Sequence, residues 1–345
     1  MTSRLGPPAL LRGRRRSLSL AVAALVILGV GATHAQERRW VVAFANLSEE
    51  PGVTLEATGF TGADVRRSLE LAARRYPIDL VFYDNGRDGR RALANVEDAV
   101  ARKVDLYIQY QRDAAVNAAV AERLRAAGIR AIAVNYPMPG APLYTADNTA
   151  AGRIAGEALG TFAARSWRGQ PTVGVVIGAL TAQAERVPER AQGVVDGLRR
   201  TLPAARVTPL DTHGNPAQVA PLLGRVLAAS PTAKILVAAL DDATALAAKS
   251  ALEAAGRTPD AAIVSHGADR SMHGGINDRK EIDPTNRGSI ILGSVAFYLD
   301  RYGDEVLPLV MRMLRGEPIA ARTVTPHRLI SAANVWVEYP PSDMN

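Results

Sequence analysis

The chain contains no cysteine. That excludes a disulfide framework, a thiolate metal site and a lipid-modified cysteine behind an export signal. Aromatic residues are only 5% of the 345, so flat stacking platforms are scarce. No apolar run reaches the roughly 20 residues a membrane-spanning helix needs. The best candidate, Leu18 to Ala32, is shorter and is interrupted by Ser19 and glycines. Also missing are a His-Glu-x-x-His pair, a Walker phosphate loop and a Gly-x-Ser-x-Gly elbow. The dinucleotide fingerprint is absent where it would belong, since Phe44-Ala45-Asn46-Leu47-Ser48 follows the first strand. His213, His266, His273 and His327 lack zinc-ligand spacing. The adjacent Asp241 and Asp242 leave a helix start in different directions and make no acid/base couple. No metal, no cofactor and no enzymatic activity are therefore expected.

Acidic residues are absent from the first 35 positions, which hold five arginines: Arg4, Arg12, Arg14, Arg15 and Arg16. The formal net charge of +7 invites a polyanion-binding reading. Removing those five arginines leaves 36 basic against 34 acidic residues, a nearly neutral remainder. The first 35 residues read as an export signal: a basic stretch, an apolar run and small residues before a cut after Ala35. Arg15-Arg16-Ser17-Leu18 also suits a twin-arginine route. The expected product is a soluble periplasmic protein that binds no nucleic acid.

What is present is alternation. Short runs rich in valine and isoleucine suit strands buried on both faces. They are Trp40–Ala45, Asp79–Tyr83, Asp105–Ile108, Ala131–Val134, Thr172–Ile177, Arg206–Leu210, Ile235–Leu240, Ala261–Val264 and Ile290–Val295. Alanine-rich amphipathic stretches separate them, and Gly128 and Gly256 stand where helices should stop. Repeated strand–helix units predict an α/β fold with parallel sheets. The residues after position 35 exceed what one core usually organises, so two lobes are expected, divided near Thr145–Asn148.

Ligands of open parallel sheets bind beyond the carboxyl ends of the strands. The residues there are Asn46, Asp84-Asn85, Gln109-Tyr110, Asn135-Tyr136, Asp211, Asp241-Asp242 and Asp269. Any one of them could be a helix cap or turn former. Together they would line a cleft with amides and carboxylates, which pair well with hydroxyls.

Five motifs, in order, resemble the type I periplasmic binding proteins of the ribose-binding, sugar-transporter kind. Ala146-Asp147-Asn148-Thr149-Ala150-Ala151-Gly152 through Gly156 is similar to the family's crossover and the start of its second lobe. Glu189-Arg190-Ala191-Gln192-Gly193 is similar to its arginine-bearing helix start. Leu240-Asp241-Asp242-Ala243-Thr244-Ala245-Leu246 and Gly267-Ala268-Asp269 resemble later strand ends. Gly293-Ser294-Val295 through Leu314-Arg315-Gly316-Glu317-Pro318 resembles the late crossover and final helix. The resemblance implies two Rossmann-like lobes joined by hinge crossovers. It divides the chain into a signal peptide (1–35), an N-terminal lobe (36–146), a C-terminal lobe (147–293), a return to the first lobe (294–324) and a last strand with tail (325–345).

Carried over residue by residue, the resemblance implies ligand contacts from Arg190, Asp241 and Asp269 in the second lobe and from Gln109 and Asn135 in the first; Asn46 is a ligand-binding candidate from its place at a strand end. Phe60 lies near a loop-aromatic position, although the intervening Leu47–Gly59 stretch is longer than the family pattern. Ser294, near the hinge, is a further candidate. Asn135 stands where many relatives carry Asp, Asp241 where Asn is usual, and Ala268 where an aromatic is usual. Tyr110 and Tyr136, beside the expected cleft, are candidates either to replace the missing stacking face or simply to pack at strand ends. A planar guanidinium such as Arg190 can donate two parallel hydrogen bonds to vicinal oxygens, and would keep its carboxylate neighbours ionised. The implied protein is a monomer that captures a sugar-like polar molecule and delivers it to an ABC transporter permease. The same fold could instead report to a membrane receptor or sensor kinase, or carry an exported enzyme. A sugar-responsive repressor would need a DNA-binding headpiece where the export signal stands.

Overall fold

The computed structural model describes residues 38–182, 186–274 and 279–340. The expected export signal and residues 341–345 of the tail lie outside the described residues. The strands form two six-stranded sheets. The first uses β1 (Trp40–Asn46), β2 (Ile78–Asp84), β3 (Leu106–Gln109), β4 (Arg130–Val134), β5 (Leu143–Thr145) and β11 (Arg322–Val324), in the order β11-β5-β4-β3-β1-β2. The second uses β6 (Thr172–Gly178), β7 (Arg206–Asp211), β8 (Lys234–Ala239), β9 (Ala261–Gly267), β10 (Ile291–Ala296) and β12 (Leu329–Ile330), in the order β12-β10-β9-β8-β6-β7. Every pairing is parallel except β10 with β12. The nine apolar runs correspond to β1–β4 and β6–β10. β5 and β11 are three residues each, too short to show a hydrophobic period.

Helices α1 (Gly62–Ala73), α2 (Gly89–Ala101), α3 (Ala114–Ala126) and α8 (Tyr302–Leu314) accompany the first sheet. Helices α4 (Asn148–Ser166), α5 (Val187–Thr201), α6 (Val219–Ala229) and α7 (Asp242–Ala254) accompany the second, and a short α9 (Val335–Glu338) follows β12. Aspartates at strand ends start several helices. Asp88, Asp113, Asp147 and Asp241 each accept a backbone N–H of the first turn, satisfying donors the helix itself cannot. Gly128 and Gly256 follow α3 and α7 with φ of +69° and +67°, the left-handed stop that a glycine adopts without a Cβ clash.

Within the described residues the chain passes between the sheets three times: after β5, between β10 and α8, and between β11 and β12. β10, which spans the expected boundary at 293–294, pairs within the second sheet. The crossings are tied together. The Asp147 N–H donates to His327 Nε2 at 3.0 Å, and His327 Nδ1 faces the Ala296 carbonyl at 2.9 Å. Since Nε2 accepts, Nδ1 carries the proton and the ring is neutral. Burial holds this histidine down to about 4.

α4 and α5 approach closely because both present glycine stripes. A Cβ at Gly152 would sit 2.0 Å from the Arg190 carbonyl, and one at Gly193 would sit 2.2 Å from the Thr149 carbonyl. Those are backbone atoms that cannot swing aside, so the bare α-carbons set the helix spacing. That spacing puts Arg190 on α5 beside Asn148 at the start of α4.

Candidate functional site

Arg190 is fully buried. Its Nε donates to Asn148 Oδ1 at 3.0 Å, and Nη1 donates to the Leu240 carbonyl at 2.5 Å. Both partners belong to the second-sheet half. The other two bonds reach the first-sheet half: Nη1 to the Ala57 carbonyl at 3.0 Å and Nη2 to the Glu56 carbonyl at 2.8 Å. The Phe297 ring lies 4.2 Å beneath the guanidinium carbon, a cation–π contact at the second crossing. These four described bonds go to carbonyl and amide oxygens rather than to the carboxylates of Asp241 and Asp269.

The carbonyls belong to the long β1–α1 connection. Its tip is a tight turn, closed by a Thr54–Thr61 bridge and by the Leu55 N–H donating to the Phe60 carbonyl at 2.8 Å. Leu55 and Phe60 are buried in the main core cluster, so Phe60 anchors the turn. Glu56 and Ala57 adopt φ of 55° and 48°, a left-handed geometry that costs L-residues roughly 1–2 kcal/mol each. The turn thereby presents two successive carbonyls to Arg190.

The Glu56 side chain points the other way, into the first-sheet half, and is 2% exposed. Tyr110 donates its hydroxyl to Glu56 Oε1 at 2.7 Å, and Tyr136 donates to Oε2 at 3.2 Å. The two rings stack at 6.3 Å. Asn135, with φ of 60°, donates Nδ2 to the Tyr110 hydroxyl oxygen at 3.0 Å and pairs with the Tyr302 hydroxyl. Burial raises the Tyr110 and Tyr302 hydroxyls well above their usual range, so both stay protonated. On the far side of the turn, a Cβ at Gly59 would fall 1.4 Å from Asp269 Oδ2. The bare glycine packs directly on that carboxylate.

The two adjacent aspartates divide their work. Asp241 caps α7, taking the Thr244 N–H and hydroxyl, each at 2.7 Å. Asp242, the next residue, is fully buried and turns back onto the sheet. It accepts from Ser265 Oγ at 2.6 Å, Ser294 Oγ at 2.7 Å and the Asp269 N–H at 2.8 Å. Ser294 in turn accepts the Ala268 N–H at 2.8 Å. Asp242 and Ser294 therefore fix the turn that presents Asp269. Burial first, and the Asp269 carboxylate second, push Asp242 well above the usual carboxylate range.

Gln109 and Asn46 are fully buried at the ends of β3 and β1. Gln109 Nε2 donates to Asn117 Oδ1 at 3.1 Å, and Asn46 Nδ2 to the Gly62 carbonyl at 2.9 Å. Among the described residues their side-chain oxygens have no hydrogen-bond partner.

The structure thus brings Arg190, Asp269, Tyr110, Tyr136 and Asn135 around one turn, while Asp241, Gln109, Asn46 and Phe60 serve local caps, amide contacts and core. Sequence reasoning missed Glu56, and it read Asp242 only as one of the strand-end groups. The signal for Glu56 was the unusual length of the Leu47–Gly59 stretch. The signal for Asp242 was two serines, Ser265 and Ser294, on neighbouring strands that could only be buried with a polar partner.

Residues 52–317 match the family described as periplasmic binding protein domain. Solved structures share the fold. A glucose-galactose binding protein from Geobacillus stearothermophilus aligns with a TM-score of 0.61 at 18% identity, covering 86% of this chain and 99% of its own. An ABC transporter periplasmic solute binding protein from Actinobacillus succinogenes, with bound D-allose, aligns at 0.64 and 14% identity, covering 86% and 98%. The fructose binding periplasmic domain of a hybrid two component system aligns at 0.61 and 20% identity, covering 87% and 93%. No curated protein sequence matches the chain significantly.

Proposed function

Because the chain belongs to the periplasmic binding protein family, of the type I, ribose-binding-like kind, we propose that it captures a sugar or sugar-like polar molecule between its two lobes and hands it to an ABC transporter permease. One observation carries this reading. Polar groups at strand ends of both sheets, and Arg190 in the first turn of α5, converge on a single place: Tyr110, Tyr136 and Asn135 from one side, Arg190 and Asp269 from the other. A ligand held there satisfies donors and acceptors of both lobes only when they are together, so binding selects the closed form. The ligand is released unchanged. The protein works as a monomer in the periplasm once residues 1–35 are removed.

The test is a thermal-shift screen of residues 36–345 against monosaccharides, polyols and sugar acids, with amino acids as the control set. A ligand at a hundred times its Kd adds about 2.7 kcal/mol to a folded state that alone binds it, a rise of several degrees. A rise with amino acids and none with carbohydrates overturns the reading.

The likeness to a two component system's binding domain favours a second reading, ligand sensing. Deleting the gene separates the two: lost uptake of the ligand supports transport, whereas intact uptake with lost ligand-dependent transcription supports sensing.

A further inference from the structure

The β1–α1 turn occupies the place where groups from both lobes meet, and its chemistry describes what it displaces. Taken as a bound group, the turn offers acceptors to the donors described around it. Two carboxylate oxygens of Glu56 take the Tyr110 and Tyr136 hydroxyls, and two carbonyl oxygens take Arg190. The donors cannot reverse. Arginine has no acceptor. The Tyr110 hydroxyl oxygen already accepts the Asn135 amide, so its proton must go outward to an acceptor. Toward Asp269 the turn presents the bare Gly59, packed on Oδ2, a carboxylate that suits hydroxyl donors.

We propose that Glu56 is an internal stand-in for the ligand's carboxylate, so that the cleft takes a sugar acid, with its carboxylate toward Tyr110 and Tyr136 and its hydroxyls toward Asp269, when the turn withdraws. This rests on the binding-protein reading above and narrows its ligand class. An acid replaces Glu56 charge for charge in a buried position; a neutral sugar removes a negative charge and returns weaker, uncharged hydrogen bonds to the same donors. The strained left-handed pair Glu56-Ala57 is what lets the turn reach Arg190, and withdrawal relieves that strain.

The experiment is titration calorimetry on residues 36–345 with D-glucuronate, D-galacturonate and D-gluconate against D-glucose, D-galactose and D-glucitol, in wild type and Glu56→Gln. Each acid is expected to bind at least about fivefold more tightly than its neutral counterpart. Glu56→Gln, which weakens the internal competitor, is expected to tighten acid binding by a similar factor. Equal or better binding of the neutral sugars overturns this inference and leaves the carbohydrate-binding reading standing. Weaker acid binding in Glu56→Gln also overturns it, because Glu56 would then be a direct ligand contact. No binding of either set to either protein overturns both.

Discussion

Replacing Arg190 with alanine is the most direct challenge to the arrangement. Four described hydrogen bonds radiate from its guanidinium: two to the turn carried by the first lobe, and two to Leu240 and Asn148. A hydrogen bond to a charged group contributes about 1.5–3 kcal/mol net. The two bonds across the cleft are therefore worth about 3–6 kcal/mol to contact between the lobes. Water can reach the Glu56 and Ala57 carbonyls once the lobes part, which favours the lower end. Even about 3 kcal/mol shifts the balance between closed and open forms by more than a hundredfold. The buried Leu240 carbonyl and Asn148 lose partners within their own half, at about 1–3 kcal/mol each, so thermal stability also falls.

The absence of cysteine makes the measurement clean. Cysteines introduced at the exposed Arg90 on α2 and Arg225 on α6 accept a dye pair without competing thiols. Single-molecule energy transfer then reports the distance between lobes. In Arg190→Ala the distribution should move to longer distances in the absence of ligand. Arg190→Lys, which keeps the charge but not the planar fork, should fall between. An unchanged distribution in Arg190→Ala, with an unchanged Tm, refutes the argument that this side chain latches the lobes.

The neighbouring aspartates should differ in urea unfolding. Asp241→Ala removes a helix cap and is expected to cost about 1 kcal/mol. Asp242→Ala orphans Ser265, Ser294 and the Asp269 N–H and is expected to cost about 2–3 kcal/mol, after relief of a buried charge. Equal costs would falsify this division of labour. Stability should also fall on acidification. His327 is held at about 4 against roughly 6.5 unfolded, so below 6.5 the unfolded chain takes a proton that the folded one refuses. That loss grows from pH 6.5 down to 4 and reaches about 3 kcal/mol. His266, at about 3, acts in the same sense. His327→Gln should flatten the decline by up to one proton's slope, about 1.4 kcal/mol per pH unit; parallel curves for wild type and variant would count against it.

The sequence by itself determined the architecture, because its causes are local. Nine valine- and isoleucine-rich runs alternate with amphipathic stretches. Strand-end aspartates start helices, and Gly128 and Gly256 end them. Each of these reads within a window of ten or fifteen residues. The polar strand ends that would surround a ligand were legible for the same reason. Only the tertiary structure decided what those groups touch. Whether Asp241 or Asp242 turns inward depends on where α7 begins relative to β9 and β10, a one-residue difference that reverses a side chain's direction. Arg190 meets the Glu56 carbonyl across 134 residues of chain, and nothing near either residue announces the other. The glycine stripes of α4 and α5 set the helix spacing that aims Arg190, and the extra length of the β1–α1 connection lets its tip reach the guanidinium. Local propensity chose the elements, and long-range packing between two lobes chose the partners.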